Sequence, residues 1–426
     1  MKPRLPGRSG RSNSLNVSRY VKIGAHGRIF QNGSRMKFDF HCIFKRFRPV
    51  LVSVFVAVFC TSICRQVDAK DIDSLLEIVA QAGPQGANSS SVRAASEQLA
   101  QHGIKILPQL LIAMDVPNIV AANWYRTVYE QIISRELQKS QPNFPVALLQ
   151  QITRDSSRQG RTRRLVVRLV EELTPGYHRS ILPTLLDDPE FRTEAVDFVL
   201  DRGDKALENG DTQSAKVEFQ AALQHARDAG QVTGAADRLQ ALGIEIDIVN
   251  RMGFVTRWYL VGPFDAPGKS GFDRSFSPEQ SVDLAASYVG VDGSEIEWNL
   301  FATQDRLGQV NLVQAIAPAT EAVGYAYAEL DSPQEQEVQL RCGADDNLSV
   351  WLNGEKILAR RQWLNGSRLD RFAAPATFQK GRNRVLVKIC QGPQHQNPAV
   401  ANHWSMQVRF CDETGAGVNF ESALPE

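Results

Sequence analysis

Gly343-Ala344-Asp345-Asp346-Asn347-Leu348-Ser349-Val350-Trp351-Leu352-Asn353-Gly354 holds a polar corner, an alternating strand and a hairpin signal in one short run. Side chains alternate across a strand with a period of two, so Leu348, Val350 and Leu352 share one face while Ser349 and Trp351 share the other. Asn353-Gly354 then supplies the two residues that most readily take the positive φ of a tight hairpin turn, returning the chain through Glu355-Lys356-Ile357-Leu358. A strand, a two-residue turn and a second strand predict an antiparallel β module, with its one polar corner at Asp345-Asp346-Asn347.

The pattern extends in both directions. Further strands are expected at 255–261, 295–302, 308–313, 322–330, 336–342, 371–378, 383–390 and 403–411, beside 347–352 and 355–359. Val338-Gln339-Leu340-Arg341-Cys342 and Arg384-Val385-Leu386-Val387-Lys388-Ile389 alternate most clearly. Many short strands with no helix between them argue against a parallel α/β fold and for an all-β, jelly-roll-like sandwich over 252–413, followed by a tail at 414–426.

Upstream, from 70 to 251, the period changes. Leu75-Leu76-Ile78-Val79, Val92-Ala94-Ala95-Leu99 and Ile106-Leu107-Leu110-Leu111 are stripes at helical spacing, and Gly103, Gly203 and several prolines read as their punctuation. Ile106-Leu107-Pro108-Gln109-Leu110-Leu111 recurs as Ile181-Leu182-Pro183-Thr184-Leu185-Leu186. A recurrence at this spacing predicts a helical-repeat array whose units bury their faces by stacking. The surroundings of the two copies resemble HEAT-type repeats, and Gly210-Asp211-Thr212-Gln213-Ser214-Ala215 with Phe219, Ala222 and Leu223 resembles a tetratricopeptide unit. The fold class expected is therefore α+β multidomain, a helical array followed by a sandwich.

Residues 1–69 are of another kind. They carry 13 Lys and Arg against Asp39 and Asp68, a net +11 that leaves the remainder of the +1 chain at −10. Basic residues ending at Arg48, an apolar run from Val50 to Cys64 and the small residues of Val67-Asp68-Ala69 have the order of a signal peptide, predicting export with cleavage after Ala69. Met36 opens a more ordinary signal-peptide start than Met1 does. The apolar run is shorter than the roughly 20 residues a spanning helix needs, so no membrane span is expected. An acidic exported remainder is a poor partner for nucleic acid. Three cysteines stay in it, Cys342, Cys390 and Cys411. If 383–390 and 404–411 are neighbouring antiparallel strands, Cys390 and Cys411 end roughly 20 Å apart and cannot pair. Cys342, in phase with Val338 and Leu340, reads as a buried thiol.

No zinc-protease, nucleophile-elbow, phosphate-loop, dinucleotide or haem motif is found, so the chain is read as not an enzyme. His395 and His403 flank the loop Gln391 to Asn402, but their spacing offers no third or fourth metal ligand. Asp345, Asp346 and Asn347 bring hard oxygen atoms to one corner, a chemistry that suits calcium, with Asp345 and Asp346 as its ligands. The competing reading has both aspartates accepting N–H groups of their own turn. Trp351, outward by parity, and Trp363, in the polar segment Arg361-Gln362-Trp363-Leu364-Asn365-Gly366, could stack on a sugar or peptide or be covered by a neighbouring loop. Trp258 and Trp298 read as core.

The Gly343–Gly354 run resembles the corner of protective-antigen-type adhesin domains, in which paired aspartates bind calcium and through it a sugar. Here Asn347 stands in place of the glycine after the pair, and Asn353 in place of the later aspartate. With Arg257-Trp258-Tyr259-Leu260-Val261-Gly262-Pro263-Phe264-Asp265 and Ala326-Tyr327-Ala328-Glu329, this run resembles a family of exported planctomycete-type proteins that join helical repeats to a carbohydrate-binding-module-like sandwich. The resemblance implies an exported, non-enzymatic interaction protein binding a glycan or a protein surface. A purely structural sandwich packed on the array, and a hydrolase with an unrecognised carboxylate site, remain as alternatives, as does the oligomeric state.

Overall fold

Apolar residues at helical spacing fold as helices from Ala69–Ala80 to Ile248–Met252, in a computed structural model that describes residues 69–363, 366–397 and 399–423. The leader and Met36 lie outside the described residues, and Ala69 opens the first described helix. Among the described residues no helix is long and apolar enough to cross a membrane.

Most of each predicted stripe is buried, with Ile78 and Ala94 left exposed. Leu75, Val79, Val92, Leu99, Ile106, Leu107, Leu110 and Leu111 all enter one core. The repeated hexapeptide buries corresponding side chains in both copies, Ile106 and Leu107 in the first and Ile181 and Leu182 in the second. The longest helix, Ile119–Leu137, is opened by Asn118, whose side chain accepts the Val120 N–H at 3.0 Å and so satisfies a donor with no intrahelical partner. Tyr125 ties it to the first helix by donating to the Leu76 carbonyl at 2.6 Å.

Gly203 does not punctuate. It lies within the helix Arg192–Glu208 because the Phe219 ring sits on it; a Cβ there would be 2.3 Å from the ring. The helix tolerates a poor helix former at that turn because only a missing side chain admits the aromatic.

The second half is made of antiparallel strands: β1 (Arg257–Asp265), β2 (Ser287–Val289), β3 (Glu295–Glu297), β4 (Asn299–Ala302), β5 (Val310–Asn311), β6 (Ala322–Ser332), β7 (Gln336–Ala344), β8 (Leu348–Leu352), β9 (Glu355–Arg360), β10 (Phe372–Phe378), β11 (Gly381–Gln391), β12 (Ser405–Cys411) and β13 (Glu421–Ser422). One sheet runs β4-β1-β6-β11-β8-β9, with β13 also on β6; a second runs β10-β7-β12-β5; β2 and β3 form a small hairpin. Val350, Val385, Val387 and Ile389 of the first sheet and Leu340, Cys342, Val408 and Phe410 of the second share one core.

Two strand expectations need correction. The run 295–302 divides into β3 and β4, and 308–313 becomes the two-residue β5 followed by a helical turn, Leu312–Ala315. Nor are β11 and β12 neighbours: β11 lies between β6 and β8, while β12 lies between β7 and β5 in the other sheet. The core between the sheets, not distance along paired strands, separates Cys390 from Cys411. Cys342, Cys390 and Cys411 are all free and buried.

The outer face of the larger sheet is covered as well. Residues from Ala266 to Trp298 lie across it, and Phe264, Ile296, Trp298, Tyr325, Tyr327, Trp351 and Leu386 form a second core there. A buried ion pair crosses this core, with Lys388 Nζ 2.7 Å from Glu279 and donating to the Arg274 carbonyl at 2.6 Å, while Tyr325 donates to Glu279 at 2.6 Å.

Helices and sandwich meet at Gly253, with φ +70°, whose carbonyl accepts the Phe410 N–H at 2.9 Å. A Cβ on Gly253 would lie 2.1 Å from the Phe410 carbonyl oxygen. Buried Arg409 reinforces the joint, donating to the Met252 carbonyl at 3.1 Å and to Asp370 at 2.7 Å. The stretch after β12 turns back to the sheets, with Val418 bonded to Phe410 at 3.2 Å and Ala423 to Glu329 at 2.9 Å.

Candidate ligand-binding site

Asp345, Asp346 and Asn347 connect β7 to β8, crossing from one sheet to the other, and backbone bonds hold the corner on both sides. Asp345 N donates to the Ser405 carbonyl at 3.1 Å, and the Asn347 carbonyl accepts the Cys390 N–H at 2.9 Å. Gly343 precedes the corner because Arg368 crosses closely behind it; a Cβ there would lie 2.0 Å from the Arg368 carbonyl oxygen.

Each aspartate accepts from a neighbouring loop, where the competing reading of the sequence expected bonds to their own turn. Asp345 Oδ1 accepts the N–H of Gly366, and Asp346 Oδ2 accepts that of Gly392 at 2.7 Å. Asn347, fully buried, accepts the Gln362 N–H. The corner therefore pins the two loops beside it. Between them opens a cavity of about 380 Å³, walled by Asp345, Asp346, Trp363, His395, His403 and Lys269.

Its polar lining is incomplete. Asp345 is 2% exposed, yet among the described residues its Oδ2 has no partner. Gln391, also buried and in the wall, donates through Nε2 to Asn402 but leaves Oε1 without one. Burial pushes the Asp345 carboxyl up to about 6; the neighbouring charge of Asp346 adds to this, while the Gly366 N–H and His403 oppose it. Two buried acceptors on residues that line a cavity are an uncompensated cost that a donor-bearing ligand could remove by a small shift of either side chain.

The sequence candidates separate here. Asp345, Asp346 and Trp363 come together, with Gly392 wedged between Asp346 and the Trp363 ring. Asn347 braces the loop from behind. Trp351 has the outward parity expected of it but lies in the covered core of the outer face, 7% exposed, with Lys356 Nζ 4.7 Å above its ring. Sequence reasoning missed Lys269, whose Nζ lies 5.0 Å over the Trp363 ring, and the amides of Gln391 and Asn402. The two histidines bracketing an amide-rich loop were the available signal for the latter pair.

The two aspartates alone do not complete a calcium shell. Calcium takes about 6–8 oxygen ligands, one oxygen of each aspartate already accepts a backbone N–H, and among the described residues no group of three or more His, Cys, Asp or Glu is placed to hold a metal ion.

The chain matches no protein-family model and none of the curated proteins it was compared with. Among solved structures it is similar to a β-glucosidase from Kluyveromyces marxianus, at 12% identity and TM-score 0.23 over 36% of this chain and 17% of that one. It is similar also to the PA14 sugar-binding domain of an RTX adhesin, at 14% identity and TM-score 0.23 over 39% of this chain and 95% of that one. A GH2 β-galacturonidase from Eisenbergiella tayi gives 6% identity and TM-score 0.20 over 37% of this chain and 25% of that one. The chain thus spans about a sixth of the β-glucosidase and a quarter of the galacturonidase.

Proposed function

We propose that this is a non-enzymatic binding protein whose sandwich takes a sugar unit of a glycan into the Asp345–Trp363 cavity, with the helical array as its scaffold. The observation that carries the reading is the pair of unpartnered buried acceptors, Asp345 Oδ2 and Gln391 Oε1, beside an indole ring. Sugar hydroxyls are donors, and the apolar face of a pyranose suits an aromatic wall. Calcium has no part in the reading, so chelation should leave binding unchanged.

In wider outline the reading is of an exported protein of the planctomycete-type family, released by cleavage after Ala69, with HEAT- and tetratricopeptide-like repeats and a jelly-roll-type sandwich. Cleavage there would cost only the first residue of the helix Ala69–Ala80. N-terminal sequencing of the exported product tests it.

A glycan array followed by calorimetry tests the binding. Oligosaccharide binding should fall tenfold or more, about 1.4 kcal/mol, in Trp363→Ala and persist in Trp351→Phe. An array with no bound glycan, or affinity retained by Trp363→Ala, would sink the proposal. Release of reducing sugar that disappears in Asp345→Asn would replace it with a hydrolase.

A further inference from the structure

Away from the aspartate corner, a second cavity of about 340 Å³ opens where the helices meet the sandwich. Arg227 enters it from the link between the helices Thr212–His225 and Ala229–Ala241, and Arg251 from the helix Ile248–Met252. The opposite wall is the stretch Gly415-Ala416-Gly417, returning from β12. No carboxylate lines this space, and among the described residues neither arginine has an ion-pair partner within 4 Å.

Both arginines are held by neutral groups. Arg251 donates through Nη2 to the Leu223 carbonyl, and its Nε is buried with no acceptor. Arg227 gives Nη1 to the Gln224 and Ala226 carbonyls, each at 2.9 Å, and Nε to the Thr414 hydroxyl at 3.1 Å. Arg192 stands close by, donating to the Thr414 and Asp187 carbonyls at 3.3 Å with its own Nε buried and unpartnered. Burial, then the Arg192 charge, lowers the proton affinity of Arg227, with Asp412 and Asp187 offsetting part of this; burial and then Arg227 lower that of Arg251. Like charges gathered in a partly dry space with no carboxylate bonded to them are costly. Backbone carbonyls orient the guanidinium forks but do not neutralise them, and a planar fork matches the oxygens of an oxyanion.

We infer that the Arg227–Arg251 cavity is a binding site for a small oxyanion, a phosphate, sulfate or carboxylate group. The anion accepts from the guanidinium groups of Arg227 and Arg251 and joins the last helix of the array to the segment after β12. It is separate from the glycan reading, since none of the Asp345 cavity's walls takes part.

Thermal unfolding of the full chain tests it, with inorganic phosphate, sulfate and acetate each compared with chloride at matched ionic strength. A ligand that binds only the folded state raises the melting temperature saturably. At least one of the three should do so, and which one identifies the oxyanion. Half-saturation should move tenfold or more upward in Arg251→Met and in Arg227→Gln, and stay unchanged in Trp363→Ala. If no anion outperforms chloride, or if the saturable rise survives both arginine substitutions, the site is overturned. Should Arg251→Met fail to fold, Arg227→Gln decides.

Discussion

Lys388 and Asp345 are equally buried, each 2% exposed, and both lie in the sandwich; the difference is in what surrounds them. Lys388 has a complete set of partners: Glu279, the Arg274 carbonyl and, 5.5 Å away, the Phe276 ring. Burial pushes the Glu279 carboxyl up, but the hydrogen bonds from Lys388 and Tyr325 outweigh it and hold it below the usual range. Asp345 has one backbone N–H on one oxygen and nothing on the other. A completed buried charge fastens structure, here the covering segment to the sheet. An incomplete one beside a cavity marks a place for a ligand.

The largest effect expected from this contrast is at Lys388. Lys388→Met leaves Glu279 and the Tyr325 hydroxyl buried without their cation, and breaking a buried pair from one side costs about 3–5 kcal/mol. Urea unfolding should show that loss, while Lys388→Met with Glu279→Met should recover much of it, since an apolar pair of similar size removes both desolvation costs. A single variant as stable as the parent would break the comparison.

The same contrast explains what could be read from the chain. Alternation located β6, β7, β8 and β11 because each packs one face on a shared core. Parity also put Trp351 on the outer face, but outward does not mean exposed. The cover from Ala266 to Trp298 is made of short 3₁₀ turns and a small hairpin, which leave no period to detect. The aspartate corner was legible as a corner because polar residues interrupt an apolar alternation. Its partners were not, since Gly366 and Gly392 lie 21 and 46 residues from the aspartates they bind. The neighbourhood of β11 and β12 failed for a related reason: succession along the chain says nothing about which sheet a strand joins.

Asp345 carries the next effect in size. Its folded carboxyl titrates at about 6, above the unfolded value of ~3.9, so the folded chain holds the proton more tightly. The contribution of Asp345 to stability is therefore greatest below about pH 4, falls as the pH rises to about 6, and is flat beyond that, a loss of about 2–3 kcal/mol. Asp345→Asn keeps an acceptor for the Gly366 N–H and removes the charge. Between pH 4 and 6 the parent's urea midpoint should fall relative to the variant's, and above pH 6 the variant should be the more stable protein. Identical pH profiles would mean that the unpartnered oxygen costs nothing, and the distinction from Lys388 would lose its basis.

Lys269 offers the smallest effect and the finest discrimination. It is exposed, and the contact of its ammonium with the Trp363 ring is of a kind worth about 0.5–1 kcal/mol at an open site. A sugar stacking on that face must first displace it, so the lysine stands in for a ligand in the incomplete region as Glu279 stands permanently beside Lys388. Lys269→Ala should strengthen glycan binding roughly two- to fivefold and alter Trp363 fluorescence before any glycan is added. Weaker binding in this variant would mean that the ammonium contacts the ligand directly, making Lys269 part of the recognition surface and not its temporary cover.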